Sequence, residues 1–233
     1  MNIEIYALCH QEADIIPYFM RHYKQYGQVF LMEGHSTDGS AELARLRGAI
    51  IVPVDTNDEV RDDIFTDIKN NCWKDSKADW VIVCDMDEFV YHPDMINYLS
   101  TIKDTIVIPR QFEMITDIYP TTDKQIYDEV RYGFEMPSKM FLFQPQKLKN
   151  ISYGVGAHSA QPEGEVYINK SSEIICMHMK FLSVNKVIER NRYLTSRFSD
   201  INRKNGWGWH TSLPPAAIVD TFNDNKNKLI KVL

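Results

Sequence analysis

Four short apolar runs, IEIYALC (Ile3 to Cys9), VFLM (Val29 to Met32), AIIVPV (Ala49 to Val54) and WVIVC (Trp80 to Cys84), are separated by stretches whose apolar residues return every three or four positions. Runs so short and so rich in Val and Ile mark strands covered on both faces, and the intervening period is that of amphipathic helices. Ile15, Ile16, Phe19, Met20 and Tyr23 form one stripe before Gly27. Leu43, Ala44 and Leu46 follow the capping residues of STDGS and stop at Gly48, and Val60, Ile64, Ile68 and Cys72 make a third stripe. Strands alternating with helices constrain the chain to an α/β fold, with a mostly parallel central sheet, right-handed crossovers and helices on both faces.

Beyond Pro93 the pattern loosens. HPDMINYL reads as a short helix started by Pro93; TIVIPRQFEMI, KMFLFQP and SSEIICMHMKF read as strands; residues 116–136 read as an irregular excursion. Val184, Val187, Ile188, Asn191 and Phe198 trace a helix that ends near NGWGWH. With 233 residues, 44% hydrophobic and 25% charged, the expected organisation is one domain over 1–233, a regular half at 1–93 and an elaborated part with C-terminal helices at 94–233. No window approaches the roughly 20 apolar residues of a membrane span, and IEIYALC follows no basic leader, so the expected location is cytoplasmic. Cys9, Cys72, Cys84 and Cys176 lack CxxC spacing and read as buried free thiols.

The net charge of −6 conceals a division: 11 Lys and Arg against 24 Asp and Glu up to Val130, then 15 against 8. Solvated faces are the commoner origin of such blocks; the alternative reading is that one part holds a cation while the other meets an anion. The acidic total argues against general nucleic-acid binding.

Within the acidic part, DMDE follows a buried strand directly, at the carboxyl end where open α/β sheets bind ligands. Asp85 and Asp87 stand two apart and repel unless something positive lies between them. A divalent cation with oxygen ligands resolves this; the plain alternative is a solvated acidic turn. Two carboxylates are too few for a closed site, and His158, His178 and His210 are the downstream imidazoles that qualify to complete it. Imidazole suits Mn2+ better than Mg2+. Core packing competes as the reading of His178.

QEADIIPYFMRHYKQYG, VFLMEGHSTDGSAEL and KNNCWKDSKADWVIVCDMDEFV, in that order, resemble the family-2-like glycosyltransferases of the GT-A fold with a DxD motif. KMFLFQPQKLKNISYGVGAHSAQPEG and ICMHMKFLS are similar to later elements of some relatives. The resemblance implies a nucleotide-binding half at 1–93, with Cys9 and His10 wrapping the base, Glu33 reading base or ribose where such enzymes usually carry Asp, Asp85 at ribose and metal, and Asp87 as direct metal ligand. Glu33 has a second reading, capping the turn after it. Arg61, Lys69, Asn70, Lys74 and Lys180 are the candidates facing the donor diphosphate, whose charge one divalent ion does not cancel. His178 is the candidate third metal ligand, and His158 is its rival or an acceptor contact.

The implied activity is metal-dependent transfer of a sugar from a nucleotide diphosphate donor to a carbohydrate-like acceptor such as a glycan, a polysaccharide or a lipid-linked sugar. Inversion needs a base, for which Glu163, Glu165, Asp117 and His158 are candidates; retention needs none. Trp207, Trp209, Tyr153 and Phe134 are candidate sugar-stacking or packing residues. The helix bearing Lys186, Arg190, Arg192 and Arg197 is expected at the rim of the site, facing an anionic donor or a membrane-linked acceptor, which leaves room for peripheral membrane contact. The rivals are a sugar-phosphate nucleotidyltransferase, disfavoured because CHQEADIIP is acidic and lacks glycine, and a non-catalytic sugar-nucleotide or glycan-binding module.

Overall fold

A computed structural model describes residues 1–121 and 123–233. Its first strand, β1 (Ile3–Cys9), shows the double burial expected of its sequence: Ile3, Ile5, Ala7 and Cys9 enter one apolar cluster, while Tyr6 enters another. The first cluster takes Ile16, Phe19 and Met20 from α1 (Ile16–Tyr23) and Ala44 from α2 (Ser40–Leu46); Ile68 of α3 (Asp62–Asn71) packs against the second. Successive side chains of a strand point to opposite faces, so helices cover the sheet on both sides.

The strands β2 (Gly27–Glu33), β3 (Ile50–Pro53) and β4 (Trp80–Asp85) pair in parallel, with β1 between β2 and β4. Gly27 is required where β2 begins, because a Cβ there would lie 1.9 Å from the Ile3 carbonyl oxygen. After Asp85 the chain turns sharply into β5 (Glu88–Tyr91), then passes through α4 (Met95–Thr101) to the long β6 (Ile106–Thr116). The Tyr23 hydroxyl of α1 donates to the Glu88 carbonyl oxygen at 2.7 Å and accepts the Val90 N–H at 3.0 Å, so α1 braces β5.

The second half departs from its expected outline in four places, one being the helix expected to run through Phe198 to NGWGWH, which stops at Ser196 and is followed by a separate helix at Asp200–Asn205. Residues 116–136 contain α5 (Ile126–Glu129) and β7 (Tyr132–Met136), the latter antiparallel to β6. The polar composition of YGFEM hides this strand, whose Glu135 is exposed and pairs with Arg110 across the ladder at 2.8 Å. KMFLFQP keeps only Leu142–Phe143 as β8, wedged between β4 and β6. The helix near Pro93 starts at Met95, where Asp94 accepts the Asn97 N–H at 3.4 Å.

Two strands, β9 (Leu148–Asn150) and β10 (Glu163–Gly164), form a small separate sheet. The 15-residue β11 (Ile168–Leu182) runs parallel to β6 and antiparallel to β5. It leads to α6 (Val184–Ser196), α7 (Asp200–Asn205), α8 (Pro215–Lys226) and the edge strand β12 (Ile230–Lys231). The order β12-β7-β6-β8-β4-β1-β2-β3, with β11 joined to β6 and β5, gives a mixed α/β fold whose central sheet is mostly parallel. All four cysteines are free, and no helix among the described residues is long and apolar enough to cross a membrane.

One core group reports on this packing. His22 of α1 is fully buried against Tyr23, Tyr26 and Phe89, and its Nε2 donates to the Val90 carbonyl at 2.9 Å. Burial lowers its pKa to about 4. An unfolded chain takes up this proton as pH falls through roughly 6.5, whereas the folded chain resists until about 4. Stability is therefore intact above that window and lost through it, at up to about 1.4 kcal/mol per pH unit and roughly 3 kcal/mol in all. In urea titrations from pH 7 to 4.5, wild type should lose that much more stability than His22→Gln; parallel profiles would refute the assignment.

Candidate active site

The acidic turn is built by a short local bond and several long-range ones. The Asp85 N–H donates to the Glu88 carboxylate at 2.9 Å, closing the turn on itself, and Glu88 is fully buried. Lys139, on the segment before β8, reaches Glu88 at 2.6 Å and Asp85 at 3.2 Å, while Lys69 of α3 reaches the other Asp85 oxygen at 2.6 Å. Burial alone would raise the Asp85 pKa, but Lys69 and Lys139 outweigh it and hold the carboxyl well below the usual range.

Asp87 has different partners. Its carboxylate lies 3.4 Å from His178 Nε2 and 3.4 Å from the Arg190 guanidinium of α6. Burial opposes its ionisation, yet these two charges keep it ionised far below the ordinary carboxylate pKa. Strand register explains why His178 is there: in β11 it stands opposite Glu88 of β5 on one side and Glu113 of β6 on the other. Its Nδ1 lies 3.1 Å from Glu113 Oε1. Burial would lower the His178 pKa, but Asp87 and Glu113 raise it to about 10.

These contacts bear on the expected ligand set of Asp85, Asp87 and His178. Among the described residues no three His, Cys, Asp or Glu form a metal-holding group. Asp85 stands apart because both its oxygens are engaged by ammonium groups. Asp87 Oδ2 and His178 Nε2, at 3.4 Å, are spaced as neighbouring ligands of one ion, each roughly 2 Å from it, would be. The hydrogen bond from His178 Nδ1 to Glu113 is the outer contact that orients ligating imidazoles and fixes their tautomer. Because Asp87 and Glu113 favour the protonated imidazole, a cation has to displace the Nε2 proton to bind; with that proton gone, the donor pair fits a divalent cation that takes its other ligands from phosphate and water.

Beside the turn, Cys9, His10, Gly34, Val54, Asp85 and Arg190 line one cleft at the carboxyl ends of the parallel strands. His10 Nδ1 donates to the Gly34 carbonyl at 2.7 Å, and its Nε2 meets the Tyr193 hydroxyl at 2.8 Å, so α6 roofs the cleft. The end of α6 is pinned where Val60 N–H donates to the Arg197 carbonyl at 2.7 Å. Glu33 ends β2 opposite Cys9, but its oxygens accept the N–H groups of His35 and Ser36 at 3.0 and 2.7 Å, bracing the turn before α2.

Other candidates lie apart from the acidic turn. Arg61 forms a two-pronged pair with its neighbour Asp63 at 2.9 and 2.6 Å. Asn70 exchanges hydrogen bonds with the Tyr153 backbone, tying α3 to the glycine-rich loop. Lys74 is exposed on the turn leading to the start of β4, the end away from Asp85. Glu163 is exposed beside Asn150, Glu165 pairs with Lys147, and Asp117 pairs with Lys226. His158 is on the glycine-rich loop, and desolvation and then Lys139 lower its pKa. Of the aromatic candidates, Tyr153 and Phe134 are buried, whereas Trp209 is exposed.

Three groups of the site carry no signal in the sequence pattern: Lys139, Glu113 and Glu12. Glu12 lines the cleft next to Asp87 and Arg190, and burial pushes its pKa up to about 8. A carboxyl protonated at neutral pH can donate a hydrogen bond to an anionic or hydroxylic ligand.

The Lys139 pair sets a stability test. Removing one partner of a buried ion pair leaves an uncompensated charge and costs about 3–5 kcal/mol. Lys139→Met should lose that much in urea unfolding, and Lys139→Met with Glu88→Gln should recover most of it. Equal losses in the single and double variants would show that the pair does not hold the turn.

No family model matches the chain, and no curated protein matches its sequence. Solved structures do resemble it, among them GT-A glycosyltransferases. Staphylococcus aureus TarS matches with a TM-score of 0.49 at 11% identity, over 97% of this chain and 43% of that one. TarS 1–349 gives 0.48 at 10%, over 98% and 71%. The Mycobacterium tuberculosis glucosyl-3-phosphoglycerate synthase, in complex with Mn2+, UDP and glucosyl-3-phosphoglycerate, gives 0.35 at 16%, over 48% and 44%. The chain thus spans less than half the length of the synthase and of the longer TarS chain. Likeness at this level carries no weight for activity or substrate.

Proposed function

We propose that this chain is a metal-dependent glycosyltransferase of GT-A type, moving a sugar from a nucleotide diphosphate donor to a carbohydrate-like acceptor. The observation that carries this reading is the Asp87–His178 pair at 3.4 Å, oriented by Glu113 and set beside the cleft at the strand ends. Asp87 and His178 would hold Mn2+ in preference to Mg2+, since imidazole is one of the two ligands. When bound, the cation supplies Lewis-acid stabilisation of the leaving diphosphate.

The rest falls to the chain's own groups. The apolar cleft at Cys9, Met32 and Val54 takes the nucleoside, with His10 at its mouth. Asp85, kept ionised by Lys69 and Lys139, also lines the cleft, and the second lone pair of each oxygen is left to accept from the ribose hydroxyls. Arg190, with its side chain half exposed over Asp87, meets the diphosphate and stabilises the charge that builds there. His158, whose imidazole stays neutral near Lys139, is the base that takes the acceptor proton.

Incubation with a panel of nucleotide sugars and Mn2+ should release free nucleoside diphosphate; pyrophosphate would indicate a nucleotidyltransferase, and no release a binding module. In the same assay, Asp87→Asn and His178→Ala should abolish turnover or raise the Mn2+ requirement steeply. Glu113→Gln should raise it by about 10–100-fold, the usual effect of losing an outer-shell partner. If His178→Ala changes the melting temperature and leaves the Mn2+ requirement alone, the histidine is a packing residue and the metal assignment fails.

A further inference from the structure

A second pocket lies on the other side of α6, between that helix, α8 and the turn at Trp209–Ser212. Lys180, Val187 and Arg190 line both it and the cavity that contains Asp87 and Glu12, so the two spaces adjoin at the reacting end of the site. We infer that this pocket is the acceptor subsite, and that it takes a polyol or sugar whose accepting hydroxyl stands beside a phosphate ester. The inference rests on the glycosyl-transfer reading above.

The sign of the charge comes from how the ion pairs are layered. Lys180 Nζ lies 3.8 Å from Glu113, and the Arg190 guanidinium lies 3.4 Å from Asp87. The carboxylate side chains are sealed, at 6% and 10% exposure, while those of Lys180 and Arg190 keep 36% and 47%. Each pair therefore shows the pocket its cation. His210 enters from the 209–212 turn and lines the pocket together with Lys180 and Arg190; burial, then Lys180, lowers its pKa. Exposed guanidinium and ammonium donors around one concavity suit the oxygens of a phosphate.

The remaining wall suits a small hydroxylated carbon skeleton. Phe181, Leu213 and Ile218 give an apolar side, and Asn191 adds an amide at the edge. In the transfer step the acceptor oxygen bonds to the anomeric carbon as the bond from that carbon to the diphosphate oxygen breaks. The electron pair leaves with the diphosphate, and the hydroxyl proton passes to His158. A phosphate held by Lys180 and His210 fixes which hydroxyl points at the donor.

The test is an NMR titration of the isotope-labelled full chain, first with UDP or GDP and Mg2+, then with glycerol 3-phosphate, glycerol or inorganic phosphate on the nucleotide-saturated protein. Glycerol 3-phosphate should shift the amides of 209–213 and bind at least about ten-fold tighter than glycerol or inorganic phosphate, a gap that one charge-assisted contact supplies. Lys180→Gln with His210→Gln should abolish that preference while nucleotide shifts at residues 9–12 and 34 persist. Glycerol binding as well as its phosphate, inorganic phosphate binding equally well, or no shift at 209–213 would each overturn the acceptor inference and leave the transferase reading standing. Absence of any nucleotide shift would instead overturn the transferase reading.

Discussion

The alignment of β11 between β5 and β6 is the constraint from which the rest of the site follows. It sets His178 level with Glu88 on one neighbour and Glu113 on the other. Directly opposed residues in neighbouring strands bring their side chains together, and a slip of one position would send every side chain of β11 to the opposite face. Glu113 would then lose its imidazole and Asp87 its partner at 3.4 Å. A strand of 15 residues, paired on both sides, makes such a slip costly because many buried side chains would move with it.

The same register decides how the protein tolerates so much negative charge at a strand end. Buried carboxylates close together are stable only when their charge is matched and their oxygens are bonded. Here the matching is divided: two lysines serve Asp85 and Glu88, while an imidazole and a guanidinium serve Asp87. The division gives the two aspartates of the motif different chemistry. Asp85 is fixed in a salt-bridge network drawn from α3 and the segment before β8. Asp87 faces groups from β11 and α6, beside a cavity that a ligand can enter.

Much of the first half was legible because each of its elements announces itself locally. The four apolar runs became β1 to β4, and the three stripes became α1 to α3, since a buried parallel strand and an amphipathic helix leave different periods in the chain. The strand β7 left no such mark, because YGFEM lies near the sheet edge and exposes Tyr132, Glu135 and Met136. Within the site, DMDE and CMHMKF stood out by composition, but Lys139 and Glu113 did not. Lys139 meets Glu88 across 51 residues and Glu113 meets His178 across 65, distances that only the tertiary register closes. Asn70 shows the opposite case: a polar residue in a suggestive string whose amide is occupied by the Tyr153 backbone.

The placement of α6 has a thermodynamic consequence. One helix is both the roof of the cleft beside β1 and a wall of the pocket beside α8, and Arg190 belongs to both. A ligand that draws Arg190 away from Asp87 on one side changes the charge presented on the other. Where an occupant does so, whatever factor it imposes on the affinity of the second is returned in equal measure. Both the Val60 contact and the His10–Tyr193 bond hold the C-terminal end of the helix, so any shift that accompanies binding is taken up nearer Arg190 and the N-terminal turns.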